Sequence, residues 1–436
     1  MSYKQALMDK LEEKTARVCV IGMGYVGLPL AVEFARAGLS VVGLDINERK
    51  CQQINDGHSY IKDIPSEVVA ELVDGGLLRA TTDYSVLETV DAVVICVPTP
   101  LGKSRDPDIS YIVAAADDLA GHVHKGMLVV LESTTYPGTT EEILMPRLVG
   151  NGYTVGEDVF LAFSPERVDP GNTLYATRNI PKVVGGVTPA CLEVASALYS
   201  TAVDEIVSVS SPATAEMAKI LENTFRAVNI GLVNEMAQIC HRIGIDIWEV
   251  IKAASTKPFG FMPFYPGPGL GGHCIPVDPL YLTWKMRGIG VRTRFIELAD
   301  SVNGAMPRYV VSRLQDLLNE EGKPLRDARI LVLGVAYKAD VDDLRESPAL
   351  LIIQELQERG AQVAYHDPYI EELQVTSAEK MASTELSAER LSWADCVLVH
   401  TAHSTYDWEW VGEHARLVFD TRNALADSVN CRVAKL

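Results

Sequence analysis

The sequence predicts an α/β protein in which two doubly wound parallel-sheet domains are joined by a long central helix. Three observations predict it. Residues 17–47, "RVCVIGMGYVGLPLAVEFARAGLSVVGLDIN", read as strand, glycine turn, helix and strand. Residues 327–370 repeat that plan without the glycine pattern. Between them, from Ser211 to Gly244, runs a stretch of helical spacing with no breaker before Gly231. The expected domains are 1–210, 211–315 and 316–436.

Composition bounds the partners. The 436 residues are 47% hydrophobic and 22% charged, an ordinary globular balance. The formal net charge of −19 argues against nucleic acid or an anionic membrane as partner. An anionic ligand must then be held by a few local basic groups and backbone N–H donors. No apolar run approaches the ~18 residues of a membrane span, and the charged N-terminus lacks a signal-peptide core. The eight cysteines form no CxxC pair, so no metal site is expected. Reduced thiols and no export signal suit the cytoplasm.

In the first domain Arg17 to Ile21 reads as a buried strand, Leu28 to Ala37 as a helix ended by Gly38, and "SVVGLD" as the next strand. The intervening Gly22-Met23-Gly24-Tyr25-Val26-Gly27 is GxGxxG, with Asp45 about 20 positions on, the context of a Rossmann-like dinucleotide site. Gly22 permits the tight turn, Gly24 lets a pyrophosphate meet backbone, and Gly27 allows close helix packing. The helix N-terminus offers N–H groups to phosphate. Asp45 accepts from a ribose diol and repels a 2′-phosphate, so the expected cofactor is NAD rather than NADP. "DAVVICVPTP" and "MLVVLESTTYPGTT" are further strands whose ends place Thr99 and Thr134 toward that cofactor. A third, "VFLAFSPERVDPG", ends at Glu166 beside Arg167.

For the central helix, Ser211 suits the N-cap, Pro212 the first turn and Gly244 the stop. Some 30 residues would span roughly 45 Å. Met217, Ile220, Leu221, Val228, Leu232 and Met236 form an apolar face, and Lys219, Asn223 and Arg226 share another. Carboxamides at Asn223, Asn229 and Asn234 are unusually dense for a simple surface. A helix this long suits a bridge between domains or a dimer seam.

In the last domain the first loop carries Lys338, Arg345, Glu346 and Ser347 before a helix near Pro348, and "ADCVLVHTAH" and "ARLVFDTRN" are later strands. Ahead of this domain lies "GPGLGGHCIPVDP", residues 267–279, a thiol set among four glycines. A buried apolar cysteine needs no such glycines.

Seven segments in order, GMGYVGLPLA, CVPTP, ESTTYPGTT, SPER, KILENTFRAVN, GGHCIPVDP and AYKADVDDLRESPA, resemble the nucleotide-sugar 6-dehydrogenases, UDP-glucose dehydrogenase among them. The resemblance spans nearly the whole chain and implies oxidation of a sugar C6 alcohol to a carboxylate with two NAD. It implies that the Cys274 thiolate forms a thiohemiacetal and then a thioester, the glycines letting the sugar approach. It assigns Lys219 and Asn223 to the C6 oxyanion or a catalytic water, Asp278 to supporting the base and water, Glu166 to thioester hydrolysis and Thr134 to water and nicotinamide. Asp45 and Lys50 match adenosine-ribose contacts and Arg345 an NAD contact. Glu166, Arg167, Lys219, Asn223, Arg226, Gly271, Gly272, His273 and Lys338 are expected on the substrate, with UDP on the C-terminal domain. "KPFGFMPFYPGPGLGGHCIPVDP" and "SPERVDPGN" look most like members acting on UDP-N-acetyl-D-glucosamine in surface-polysaccharide pathways, which implies a UDP-N-acetylhexosamine substrate and a homodimer or larger homo-oligomer. Leu270 and Val277 depart from the UDP-glucose pattern FGGxCxxKD. UDP-N-acetylmannosamine and UDP-glucose stay open as substrates. A two-electron hydroxyacid dehydrogenase, which needs no cysteine, is the reading from another enzyme class.

Overall fold

The computed structural model describes residues 2–102, 105–150, 152–169, 174–376, 379–426 and 430–436. Pro170, Gly171 and Asn172 of the "SPERVDPGN" segment lie outside the described residues. The chain divides into two compact units, Met1–Glu222 with Leu280–Gly288, and Asn223–Pro279 with Ile289–Leu436. Among the described residues no helix is long and apolar enough to cross a membrane.

The first unit is built on eight strands: β1 (Arg17–Ile21), β2 (Ser40–Leu44), β3 (Leu78–Thr81), β4 (Ala92–Ile95), β5 (Leu128–Leu131), β6 (Phe160–Phe163), β7 (Lys182–Gly186) and β8 (Ile206–Val209). Their order is β3-β2-β1-β4-β5-β6-β7-β8. The first six strands have the Rossmann order 3-2-1-4-5-6 and pair in parallel. Only the β6–β7 pair is antiparallel, with Phe163 opposite Gly185. Helices cover both faces, which is why the strands read as unbroken apolar runs. Along β1, Val18 and Val20 enter one core while Cys19 and Ile21 enter the other. The strand expected to end at Glu166 stops at Phe163, so Glu166 sits in the following loop. Pro165 has no N–H to continue the ladder.

The second unit holds a five-stranded parallel sheet: β9 (Arg329–Leu333), β10 (Gln362–His366), then β13 (Cys396–Val399), β14 (Leu417–Asp420) and β15 (Arg432–Lys435), with the hairpin β11 (Glu372–Thr376) and β12 (Glu379–Ala382) apart. The order β10-β9-β13-β14-β15 is the 2-1-3-4-5 arrangement of the other common doubly wound sheet. Ile330 and Val332 face one core, Leu331 and Leu333 the other.

The long helix runs Pro212–Ile243, as its caps predict. Ser211 Oγ accepts the Thr214 N–H at 3.1 Å, and Gly244 takes φ 73°. Its expected apolar face divides. Ile220 is buried, whereas Met217, Leu221, Leu232 and Met236 are exposed, together with Phe225, Ile239 and Ile243. Small residues do the inward packing instead. A Cβ on Gly231 would lie 3.3 Å from the Ala299 Cα, so two helix backbones nearly touch there. Ala299 belongs to a second long helix, Arg294–Glu320, with Pro307 inside it.

Candidate active site

The glycines of the first turn have separate jobs. A Cβ on Gly22, whose φ is +92°, would meet the Cys96 carbonyl oxygen at 2.6 Å, and one on Gly27 would lie 1.9 Å from the Gly22 carbonyl oxygen. At Gly24 a Cβ would meet nothing within 4 Å. Gly22 and Gly27 are therefore demanded by the fold, while Gly24 leaves open space above the N-terminus of the helix Gly27–Arg36. Val26 stands at that helix start and Tyr25 is exposed at the loop. Asp45, buried at the end of β2, accepts N–H groups from Met23 and Asn47, each at 2.9 Å, and Lys50 Nζ lies 3.4 Å from it. The strand order reverses between β1 and β4, so the crevice beyond their carboxyl ends is the expected ligand position. The loop after β4 carries buried Thr99, and Ser133 Oγ donates to the Val97 carbonyl at 2.7 Å, fixing the start of the segment that bears half-buried Thr134.

Glu216 ties that segment to the long helix. Its buried carboxylate accepts the N–H groups of Gly138 and Thr140 and the Thr140 hydroxyl, the last at 2.7 Å. One turn on, Lys219 is only 8% exposed. Within the described residues its ammonium group makes no ion pair.

Glu166 accepts N–H groups from Arg167 and Val168, both at 2.7 Å, and lies 3.2 Å from Lys182 Nζ. Burial alone would push its carboxyl up, but Lys182 and the two N–H donors outweigh that and hold it below the usual range. The Arg167 side chain, expected on substrate, lies 2.6 Å from Glu222 and donates to the Pro181 carbonyl at 2.8 Å.

In the second unit the cysteine loop is held from both sides. Gly267 N–H donates to Asn234 Oδ1 at 2.9 Å, Asn234 donates to Asn303, and Asn303 donates to the Ala227 carbonyl. Of the carboxamides dense in the sequence, Asn234 thus anchors the loop, while Asn229 donates to the Phe225 carbonyl of its own helix. On the other side Gly272 N–H donates to the Arg345 carbonyl at 2.9 Å. Cβ atoms on Gly271 and Gly272 would meet the Tyr337 side chain at 2.6 and 2.8 Å. The sequence reading gave these glycines to sugar approach; packing against Tyr337 already requires both. Cys274 is exposed, and its carbonyl accepts N–H groups from Val277 and Asp278, winding the loop into the helix Asp278–Gly288. Asn223 Nδ2 donates to the buried Asp278 carboxylate at 2.5 Å.

His273 beside the thiol is half-buried, and burial followed by the charge of Arg345 pulls its imidazole below the usual range, against Asp343. Arg345 is exposed, with Nη2 2.6 Å from Asp343. Lys338 is half-buried in the loop after β9, at the switch point of the second sheet. Arg226 is exposed on the long helix, so the polar stripe is graded rather than uniform.

Three domain profiles of one family match this chain. They are the NAD binding domain of the UDP-glucose/GDP-mannose dehydrogenase family over residues 16–203, its central domain over 213–305 and its UDP binding domain over 331–427. The chain belongs to the UDP-glucose/GDP-mannose dehydrogenase family. It is similar to a UDP-N-acetyl-D-glucosamine 6-dehydrogenase of Pseudomonas aeruginosa, 39% identical over 363 residues that cover 82% of this chain and 84% of that protein. A UDP-N-acetyl-D-mannosamine dehydrogenase of Methanococcus maripaludis is 35% identical, covering 95% of this chain and 94% of its own. The solved UDP-D-ManNAc dehydrogenase of Pyrococcus horikoshii superposes with a TM-score of 0.86 at 33% identity, covering 96% of this chain and 98% of its own.

As a member of the family the chain is an NAD-dependent nucleotide-sugar dehydrogenase. The first turn fits the cofactor: Gly24 leaves room for a pyrophosphate, and the Asp45 carboxylate lies beside Met23 at the strand end where a ribose diol would be held. Two features of this dehydrogenase escaped the sequence reading. Glu132, inside "ESTTYPGTT", and Lys182 form a buried ion pair behind Glu166. Arg422, inside "DTRN", donates from Nε to the His400 carbonyl at 2.7 Å and puts Nη1 where a Cβ on Gly267 would lie, 2.6 Å away. Neither had a motif of its own; a charged residue in an apolar strand flank was the available signal.

Proposed function

We propose that this chain oxidises UDP-N-acetyl-D-glucosamine at C6 to the uronate, for surface-polysaccharide synthesis in the cytoplasm. The observation that carries the thiol chemistry is Cys274, an exposed cysteine at the head of a loop whose glycines are clamped by Asn234 on one side and Tyr337 on the other. A nucleophile must be presented in a fixed geometry to add to a carbonyl carbon. The name of the Pseudomonas aeruginosa relative supports the glucosamine substrate, and that of the Methanococcus maripaludis relative supports the mannosamine alternative.

In this reading NAD, when bound by the Gly22–Gly27 turn, Asp45, Lys50, Thr99, Thr134 and Arg345, supplies the hydride acceptor for both oxidations. Lys219, a buried cation, and Asn223 balance negative charge on the C6 oxygen. The Cys274 thiolate adds to the aldehyde carbon and the carbonyl oxygen takes up a proton, giving a thiohemiacetal; loss of its C6 hydride to the acceptor and of its hydroxyl proton to water would leave the thioester. Water then adds to the thioester carbonyl, the C–S bond breaks, the thiolate leaves, and Glu166 takes the water proton. Asp278 fixes Asn223 through their hydrogen bond. Lys338 and Arg422 supply positive charge for the UDP pyrophosphate of an enzyme whose net charge is −19. The outward stripe of the long helix pairs two copies.

A panel of UDP-hexosamines and UDP-glucose, each with NAD and NADP, tests this. Two NADH per sugar and UDP-N-acetylglucosaminuronate by mass are expected, with little activity on NADP. One NADH per sugar would identify a two-electron enzyme, and preference for UDP-N-acetylmannosamine would reassign the substrate.

A further inference from the structure

β7 is the strand that breaks the parallel run, and its direction has a chemical consequence. Because it pairs antiparallel with β6, its first residue, Lys182, emerges at the edge of the sheet where β5 and β6 end. Glu132 follows β5 directly and Glu166 follows β6 by three residues. Lys182 therefore stands between two carboxylates from neighbouring strands, hydrogen-bonded to Glu132 and 3.2 Å from Glu166. The Tyr199 hydroxyl donates to the other Glu132 oxygen at 2.6 Å, and the Lys182 ammonium lies 5.3 Å from the Tyr199 ring centre.

We infer that Lys182 is a positioning residue for the hydrolytic half of the reaction: held by Glu132 and Tyr199, its ammonium group aims the Glu166 carboxylate at the water whose proton it takes. The inference rests on the role of Glu166 proposed above. Exposure divides the cluster as such a role requires. Glu132, Lys182 and Tyr199 are buried, while the Glu166 side chain retains 14% of its exposure. A pair made only for stability would be complete with Glu132, and buried pairs contribute little net stability. Here the lysine also reaches the one carboxylate with access to water. Two carboxylates share one ammonium, and burial pushes the Glu132 carboxyl up to about 7 while Lys182 and backbone N–H donors hold Glu166 down. The other groups facing the cluster do not offset Lys182. Burial keeps the Cys96 thiol and the Tyr199 phenol neutral, and the Arg167 guanidinium is turned to Glu222.

The test is the pH dependence of thioester hydrolysis, read as the steady-state rate after the NADH burst, in wild type, Lys182→Met, Lys182→Arg and Glu166→Gln. Removing the lysine should raise the acid limb by about one pH unit or more, with the burst retained, and Lys182→Arg should restore it. Should Lys182→Met fail to fold, Glu132→Met/Lys182→Met removes the buried pair together, a change buried ion pairs often tolerate, and should show the same rise. An acid limb unmoved by either substitution overturns the inference, as does a limb that persists in Glu166→Gln. Carboxyl titration of Glu166 by 13C NMR needs no turnover. A raised Glu166 titration in a protein that oxidises no nucleotide sugar would sink the proposed function and leave the electrostatic role of Lys182 standing.

Discussion

Asn223 donates its side-chain N–H to the Asp278 carboxylate at 2.5 Å, linking the long helix to the first residue of the helix that follows the cysteine loop. Asp278 is buried, so its carboxylate is satisfied by groups of the protein, Asn223 among them, rather than by bulk water. In Asp278→Asn an N–H₂ group can face the Asn223 N–H₂ group. Losing a hydrogen bond to a charged group costs ~1.5–3 kcal/mol, so kcat should fall roughly 10- to 150-fold. NAD affinity, measured by fluorescence titration, should not change.

The glycines of the dinucleotide turn should separate under substitution. Gly24→Ala meets no atom within 4 Å, so its melting temperature should match wild type while NAD binds more weakly. Gly27→Ala drives a Cβ to 1.9 Å from the Gly22 carbonyl oxygen. Overpacking of this kind costs ~1–3 kcal/mol or more, so both stability and NAD binding should suffer. Calorimetry and NAD titration of the two variants check the difference.

Cys274→Ser should stall aldehyde oxidation, because a hydroxyl is a far weaker nucleophile than a thiolate at neutral pH. Turnover should fall by orders of magnitude, with no more than about two NADH per site in one burst. Mass spectrometry after substrate and NAD can find a sugar adduct on the introduced side chain. Near-normal uronate production would remove Cys274 from the mechanism.

The outward stripe of the long helix is expected to be a two-fold seam. Leu221 is 63% and Leu232 54% exposed, with Met217, Phe225, Met236, Ile239 and Ile243 along the same helix. An apolar stripe of this length is costly to leave in water. Leu221→Asp/Leu232→Asp should convert a dimer into a monomer by light scattering at micromolar concentration. A wild-type monomer would contradict the proposal.

Stability should also respond to Glu132. Burial pushes its carboxyl up from the ordinary 4.5 to about 7, against Lys182 and Tyr199, so the folded chain holds that proton more tightly than the unfolded one. That stabilisation is complete below the unfolded value and is lost as pH rises through the folded one. Glu132→Gln carries no titrating proton. Its denaturation midpoint should fall less than that of wild type between about pH 5 and pH 8. Identical slopes in the two proteins would refute this.

Much of the candidate site was legible because the residues proposed for it fall in short local motifs. A turn that must pass under Cys96 and Gly22 admits only glycine at Gly22 and Gly27, and a short motif records that. Cys274, Asp278 and the Lys219–Asn223 spacing are likewise local. The companions of Glu166 were not legible. Glu132 and Lys182 are 50 residues apart and meet only because β7 runs backwards. Strand direction leaves no trace in a run such as "KVVGG".

The sequence by itself determined the α/β class, the dinucleotide turn, the length of the central helix and the family, because strand–turn–helix periodicity and glycine sterics act over a few residues. Tertiary structure alone decided which way that helix faces. Met217, Leu221, Leu232 and Met236 have the spacing of a core stripe, yet the close approach at Gly231 and Ala299 turns them outward. It also decided why the cysteine loop has glycine at 271 and 272, since a Cβ there would meet Tyr337, 65 residues beyond Gly272 in the chain. Periodicity states that a face is apolar; only the packing of distant backbones states what covers it.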